Sequence, residues 1–204
     1  MQEVTLNDME ISAIGEVANI SLGNAATSLS VLLRDEVNVS VPRVEIKDRG
    51  EAVKAVGIDD IFVRVDYVKG IKGYSVLFLK EEEVKMIADI MMGSDGYGMF
   101  YQQDLSELHL SAISEAMNQM MGSAATALGI MLERMVDIST PETFQVKAED
   151  DVSFQFPEDD KFVQINFTMQ LGKNVKTQVI QMYPLVLAKA LADLFLIKKQ
   201  TRKM

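Results

Sequence analysis

The sequence predicts an α/β (α+β) fold that is internally duplicated, with pseudo-twofold symmetry between its two halves. Three observations support this prediction. One long segment recurs at an offset of 99 positions, its apolar residues follow a helical period, and each copy is followed by β-rich stretches. Each half is therefore expected to run helix, three strands, helix, and the strands are expected to form an antiparallel sheet.

The internal repeat is clearest between residues 11–42 and residues 110–141, which align without a gap. Fourteen of these 32 positions are identical, whereas unrelated segments of average composition share about two. We expect a single domain over residues 1–204, built from two repeats at about 8–95 and 107–197. Each repeat is too small to close a core of its own.

Two long helices are predicted at residues 8–33 and 107–132, because their apolar residues recur at spacings of three and four. Asn7 or Asp8 is suited to cap the first helix, and Ser106 is suited to cap the second. The apolar positions expected to face the core in the first helix are Met9, Ala13, Ile14, Val17, Ile20, Leu29, Leu32 and Leu33.

Strands and shorter helices complete each half. The strands are predicted at 37–46, 61–68 and 74–80, and at 136–140, 144–148, 161–171 and 175–183. Helices at about 81–92 and 184–197 close the halves, and Pro184 is expected near the first helical position of the second. Between the halves, the glycines of GSDGYG at 93–98 are typical of a turn.

The amino-acid composition excludes or disfavours several classes of function. The net charge is −10, with 30 acidic and 20 basic side chains, which disfavours binding to nucleic acid or anionic lipid. The absence of cysteine excludes disulfides and thiolate nucleophiles, and a single histidine, His109, excludes a histidine metal cluster. No apolar run approaches the roughly 18 residues that span a bilayer, and no signal peptide is recognisable. We expect a cytoplasmic protein without membrane insertion.

A polar stripe interrupts the apolar pattern of each long helix. The first stripe is Ser12, Glu16, Asn19 and Gly23, and the second stripe is Ser111, Glu115, Asn118 and Gly122. Spacings of three and four place each set on one helix face, with the Glu and Asn side chains adjacent. The glycines leave a bare patch where another surface has room to approach. The alternative interpretation is an ordinary solvated helix face, but the matched second copy argues against it.

The pattern Ser-x3-Glu-x2-Asn-x22-Pro occurs twice, ending at Pro42 and Pro141, and it resembles the signature of the CheC/CheX/FliY phosphatases of bacterial chemotaxis. The stretch LSELHLSAISEAMNQMMGSAATALGIML, preceded by MGSDGYG, is most similar to the FliY members of that family. The resemblance covers nearly the whole chain, and neither Glu/Asn pair departs from the family pattern. It implies that the duplicated fold is CheC-like.

The resemblance also implies an activity, hydrolysis of the aspartyl phosphate of phosphorylated CheY. Asn19 and Asn118 would hold a water in line with the phosphorus, much as a glutamine does in small GTPases. Glu16 and Glu115 would pair with a lysine of the regulator and dock it, while the serines and glycines of the stripes would contact the partner. No cofactor of its own is implied, since the regulator would carry the Mg²⁺.

Partners and location follow from the same resemblance. The family implies flagellar switch partners, FliM, FliN and FliG, at the cytoplasmic face of the flagellar basal body. It also implies that a FliN-like domain follows this one in the parent protein, so the chain is expected to be a fragment. Two alternatives are a non-catalytic switch scaffold that binds CheY, and a free-standing CheC phosphatase associated with the deamidase CheD.

Overall fold

The two long helices form the frame of the molecule in a computed structural model that describes residues 4–156 and 161–201. The helices are α1 (Asp8–Leu33), α2 (Arg49–Ala55), α3 (Glu81–Met91), α4 (Glu107–Leu132) and α5 (Leu185–Thr201). The strands are β1 (Val37–Val39), β2 (Arg43–Asp48), β3 (Ile61–Lys69), β4 (Gly73–Leu79), β5 (Asp137–Ile138), β6 (Glu142–Gln145), β7 (Lys161–Leu171) and β8 (Val175–Pro184). Both long helices begin and end where the sequence predicted.

The two long helices begin with capping residues at equivalent positions of the repeat. The Asn7 side chain accepts a hydrogen bond from the Glu10 N–H at 3.0 Å, and the Glu10 carboxylate accepts one from the Asn7 N–H at 2.9 Å. At the equivalent positions in α4, the Nδ1 atom of His109 accepts a hydrogen bond from the Ser106 N–H at 3.2 Å. His109 is thus a buried capping residue, and both helices satisfy backbone donors that a helix start leaves open.

The strands of the described residues form one antiparallel sheet in the order β1-β7-β8-β4-β3-β5, and β2 also pairs with β7 while β6 pairs with β3. The β3–β4 and β7–β8 hairpins meet at the centre through the β4–β8 pair. The first two strands of each half pair with a strand of the other half. In this way β1 and β2 pair with β7, and β5 and β6 pair with β3. Each half therefore completes the sheet of its partner.

The antiparallel duplicated fold is confirmed, and three details differ. The strand predicted at 37–46 is divided in two, with Pro42 between β1 and β2. Pro141 lies at the equivalent break between β5 and β6, where two separate strands were predicted. Proline has no N–H to donate to a strand neighbour, so the ladder breaks at that residue. Pro184 is the last residue of β8 rather than a helix residue. The seven-residue α2 was not predicted, because it is too short to show a helical period.

Four helices cover one face of the sheet and form the main core with it. Helix α1 packs on α4 and α5, and α4 packs on α3. On the other face, a smaller core forms around Phe62, Phe156 and Phe162, beneath α2. Strand residues alternate between the two cores, as Ile61 and Val63 belong to the first and Phe62 to the second. No helix in the described part of the chain is both long and apolar enough to cross a membrane.

The connection between the halves is held by one buried carboxylate at the end of α3. The Asp89 oxygens accept hydrogen bonds from the backbone N–H groups of Gly96 (3.0 Å), Gly98 (2.9 Å), Phe100 (3.1 Å) and Tyr101 (3.2 Å). Gly96 has a φ of 96°, in the left-handed region that favours glycine. The predicted turn is therefore an ordered loop that leads directly into α4.

Candidate functional site

Both stripes lie on the outer faces of the paired helices, where the sequence analysis placed them. The four residues of the first stripe are exposed. In the second stripe, Ser111, Glu115 and Asn118 are exposed, and Gly122 is half-buried. Neighbours on the opposite side of α1, such as Ala13 and Val17, are buried against the core. The chain therefore leaves both stripes open to a partner.

The two asparagine amides are unengaged. Within residues 4–156 and 161–201, the side-chain amides of Asn19 and Asn118 have no hydrogen-bond partner, and both side chains are exposed. An amide offers an oxygen that accepts and a nitrogen that donates hydrogen bonds. Each asparagine can therefore bind a water or a guest group without first breaking a contact in the protein.

The two glutamates have different surroundings. Both carboxylate oxygens of Glu16 accept hydrogen bonds from the Nζ atom of Lys199, each at 2.8 Å. Glu115 accepts only a hydrogen bond from the side-chain amide of Gln119, at 3.1 Å, among the residues described. Lys199 lies 183 positions from Glu16 in the chain. Lys199 was not predicted as a neighbour of Glu16, because the helix predicted at about 184–197 ends before it and a local pattern does not say which helix the last turn of α5 contacts.

The glycines of the stripes are not required by the packing of the fold. A Cβ atom added at Gly23 or Gly122 would meet nothing within 4 Å. Glycine inside a helix is nevertheless less stable than alanine by about 1 kcal/mol. The exposed carbonyl of each glycine accepts a hydrogen bond from the hydroxyl of Thr27 or Thr126, both at 3.0 Å. The result is a smooth patch on each helix, one turn beyond the asparagine.

The two stripes form separate sites rather than one composite site. The Ser123 hydroxyl donates a hydrogen bond to the Asn24 carbonyl at 3.0 Å, and these residues are equivalent in the repeat. The pseudo-twofold axis therefore passes close to this contact between α1 and α4. Asn19 and Asn118 each precede this crossing by five residues. With a rise of 1.5 Å per residue, each amide lies about 7.5 Å from this contact along its own helix.

Exposed apolar residues extend both stripes, and two of them were wrongly predicted to face the core. Met9, predicted to face the core, is 65% exposed, and its repeat equivalent Leu108 is 62% exposed. Val31 and Ile130 are a second equivalent pair, at 77% and 71%. Ile20 was also predicted in the core and is 41% exposed. The repeat equivalent of Ile20 is the polar Gln119, and this is the signal that could have excluded Ile20 from the core. Met9 has the apolar equivalent Leu108 and gives no such signal.

No residue of either stripe lines the three surface grooves found on the described part of the chain. Three grooves on the surface are lined by residues of other regions, one of them by Asp60, Lys80 and Tyr101. No cluster of three or more His, Cys, Asp or Glu side chains suited to a metal ion occurs within the described residues. The geometry is that of two convex helix faces, which suit docking by a protein better than capture of a small molecule.

Comparisons with known proteins agree with the placement of the stripes. A family model described as the CheC-like family matches residues 9–46 and 108–144, the two segments that contain the stripes. The flagellar motor switch phosphatase FliY of Bacillus subtilis (strain 168) is 38% identical over 188 residues. That match covers 91% of this chain and 49% of the relative, so the chain spans about half the length of this curated protein.

Solved structures extend the comparison. The crystal structure of Thermotoga maritima FliY matches with a TM-score of 0.86 and 33% identity, covering 95% of this chain and 99% of that chain. A chain of the FliG–FliM complex from H. pylori matches with a TM-score of 0.74 over 92% of this chain and 100% of that chain. Its identity is 13%, so this second likeness concerns the fold alone. The duplicated fold, the paired stripes and these matches establish that the chain belongs to the CheC-like family.

Proposed function

We propose that this domain is a phosphatase that hydrolyses the aspartyl phosphate of phosphorylated CheY at the flagellar motor switch. The observation that carries the proposal is an exposed glutamate one helical turn from an unengaged asparagine, present on each of two equivalent helices. Membership of the CheC-like family and the name of the Bacillus subtilis relative, a flagellar motor switch phosphatase, support it.

The asparagine is proposed to position the attacking water. An acyl phosphate is already reactive, and what it lacks is a water held in line with the phosphorus. The amide oxygen of Asn19 or Asn118 accepts a hydrogen bond from that water while the amide nitrogen donates one to it or to the phosphoryl oxygens. The water oxygen bonds to phosphorus, the bond to the aspartyl oxygen breaks, and the aspartate leaves as a carboxylate. Positioning of this kind contributes about 10²-fold, or about 2.7 kcal/mol of barrier.

The glutamate is proposed to dock the regulator. A carboxylate of Glu16 or Glu115 would pair with the lysine beside the regulator's phosphorylated aspartate, and charge-assisted pairs of this kind fix register as well as affinity. The spacing of three residues places the asparagine on the same partner. Beyond it, Gly23 or Gly122 lets the surfaces approach closely, and the exposed apolar residues that extend each stripe add contact area.

The regulator is proposed to supply the Mg²⁺. Each stripe offers a single carboxylate and a single amide oxygen, fewer oxygen ligands than a protein needs to hold this ion by itself. The domain then contributes positioning only, and it forms no covalent intermediate. This division of labour agrees with the lack of cysteine and of a second histidine in the chain.

The proposed setting is the cytoplasmic face of the flagellar basal body, with FliM, FliN and FliG as neighbours. It rests on the names of the FliY relatives and on the fold shared with a chain of the FliG–FliM complex. We also propose that the parent protein carries a further, FliN-like domain, since the Bacillus subtilis relative is about twice as long as the matched region.

A non-catalytic scaffold that binds CheY is the second candidate, and the likeness to the FliG–FliM complex chain favours it. One experiment separates the two. The purified domain, mixed in small amounts with phosphorylated CheY, is expected to release inorganic phosphate over many turnovers, faster than spontaneous hydrolysis. Binding of the regulator without faster phosphate release would establish the scaffold instead.

A further inference from the structure

The first stripe contains a cation supplied by the protein itself. The Nζ atom of Lys199 bridges both oxygens of Glu16 at 2.8 Å, and the two side chains are 45% and 47% exposed. Glu115, the equivalent of Glu16, has no lysine or arginine within 4.0 Å among the residues described. The two docking carboxylates therefore differ in availability, although the residues of the stripes are the same.

The difference arises from the lengths of the helices that close each half. Helix α5 has 17 residues, whereas its counterpart α3 has 11 and ends at Met91. Residues 190–196 resemble residues 86–92, so Lys199 lies on turns of α5 that α3 lacks. Helix α3 therefore has no counterpart of Lys199.

Helix α5 is held near both of its ends by further ion pairs to the two long helices. Lys189 pairs with Glu10 of α1, and Lys198 pairs at 2.6 Å with Glu133, which caps the end of α4. Because exposed ion pairs are individually weak, the packing of α5 on α1 sets the direction of the helix and places Lys199 beside Glu16.

We propose that Lys199 is an intramolecular competitor at the first stripe. This proposal rests on the function proposed above. Lys199 binds Glu16 in the position that the lysine of the regulator would otherwise occupy. Docking at the first stripe must displace this ion pair, and the added positive charge repels the incoming lysine. The second stripe, where Glu115 is free of a cation, is then the principal docking site. Because exposed ion pairs are weak and screened, the penalty is about two- to fivefold in apparent affinity.

The test isolates each stripe with an asparagine variant. In an Asn118→Ala background only the first stripe works, and Lys199→Ala is expected to raise kcat/KM for phosphorylated CheY by about two- to fivefold. In an Asn19→Ala background only the second stripe works, and the same change is expected to have no effect. Lys198→Ala is the matched control, since it removes an equal charge one residue away that pairs with Glu133.

An unchanged or lower kcat/KM for Lys199→Ala in the Asn118→Ala background would overturn the competition, and so would an equal gain from Lys198→Ala. If the wild-type domain releases no phosphate above the spontaneous rate, the proposed function has failed, and the competition is tested by binding instead. The measurement is titration with beryllofluoride-activated CheY, comparing Glu115→Gln with Glu115→Gln/Lys199→Ala. Tighter binding by the second variant supports the competition, and equal or weaker binding refutes it.

Discussion

Among single residues, the glycines of the two stripes are the least expected on grounds of stability. Gly23 and Gly122 lie inside long helices, where glycine is unfavourable, and nothing in the fold occupies the space beside them. A residue that lowers stability without serving the packing is expected to serve a surface contact. We therefore infer that the bare patch exists for the partner.

Substitutions of Gly122 test this inference. Gly122→Ala is expected to stabilise the fold by about 1 kcal/mol, because alanine restricts the unfolded chain and favours helix. Gly122→Leu is expected to leave the fold intact while lowering phosphate release at the second stripe, since the side chain fills the approach path. Urea unfolding and the phosphatase assay, each in an Asn19→Ala background, measure the two effects.

Gly129 provides the control in the same helix. A Cβ atom there would lie 2.8 Å from the carbonyl oxygen of Arg134, so Gly129→Ala is expected to destabilise the fold. Equal destabilisation by Gly122→Ala would show that the glycine of the stripe is structural and would contradict its assignment to the partner surface.

The sequence was sufficient to locate the Glu and Asn residues on exposed faces but not to identify all their neighbours. The matched spacing in two copies separated those residues from an ordinary polar face. Met9 and Ile20 were assigned to the core because a helical period does not distinguish a core contact from an apolar residue kept for a partner. Lys199 required the tertiary path of α5, which no local pattern encodes.

At the scale of elements, the loop between the halves depends on Asp89. Burial alone would raise the pKa of this carboxyl, but hydrogen bonds from backbone N–H groups and from the Ser94 hydroxyl outweigh burial and hold the pKa below its usual value. A lowered pKa in the folded state means that the ionised form stabilises the fold. This contribution is fully present above the pKa of the unfolded chain, about 3.9, and is lost as the pH falls through the lower folded value.

Asp89→Asn is expected to destabilise the fold by about 2–3 kcal/mol at neutral pH, because one amide nitrogen would face two N–H donors. The variant should also lose less stability on acidification than the wild-type domain, since it lacks the titrating carboxylate. Denaturant unfolding over a series of pH values measures both effects. Asp95→Asn, an exposed acid in the same loop, serves as the control, and an equal loss of stability there would contradict the role given to Asp89.

The boundaries of helices and strands were predicted most accurately where the local sequence pattern was strongest. The long helices show many turns of apolar periodicity and carry recognisable caps, so both ends of each were predicted correctly. The strand at 37–46 was predicted as continuous although Pro42 interrupts it, because apolar and β-branched residues resume directly after the break. Helix α2 has fewer than two full turns of pattern and gave no periodic signal.

For the whole molecule, the pairing of the first two strands of each half with the other half determines how the two sites are built. The repeat predicted two equivalent halves, but a sequence pattern indicates that a strand exists and not which strand it pairs with. Here β1 and β2 pair with β7, and β5 and β6 pair with β3. The halves are therefore interdependent, and α1 and α4 are held at a fixed crossing.

This exchange predicts the behaviour of the separated halves. Fragments 1–98 and 99–204 are each expected to remain largely unfolded, because each lacks the strands that cover its own hairpin and leaves that edge open. Mixed in equal amounts, they are expected to recover a folded heterodimer, seen by circular dichroism and by size-exclusion chromatography. A stable, cooperatively unfolding monomer of either fragment alone would contradict the interdependence.

The account as a whole depends on the two asparagine amides as the groups that position water. The direct measurement is phosphate release from phosphorylated CheY by the Asn19→Ala/Asn118→Ala variant, with Asn174→Ala, an exposed asparagine in the β7–β8 turn, as the control. We predict that the double variant loses about 10²-fold in rate, towards spontaneous hydrolysis, while it still binds beryllofluoride-activated CheY. Phosphate release by the double variant at the wild-type rate would contradict the account.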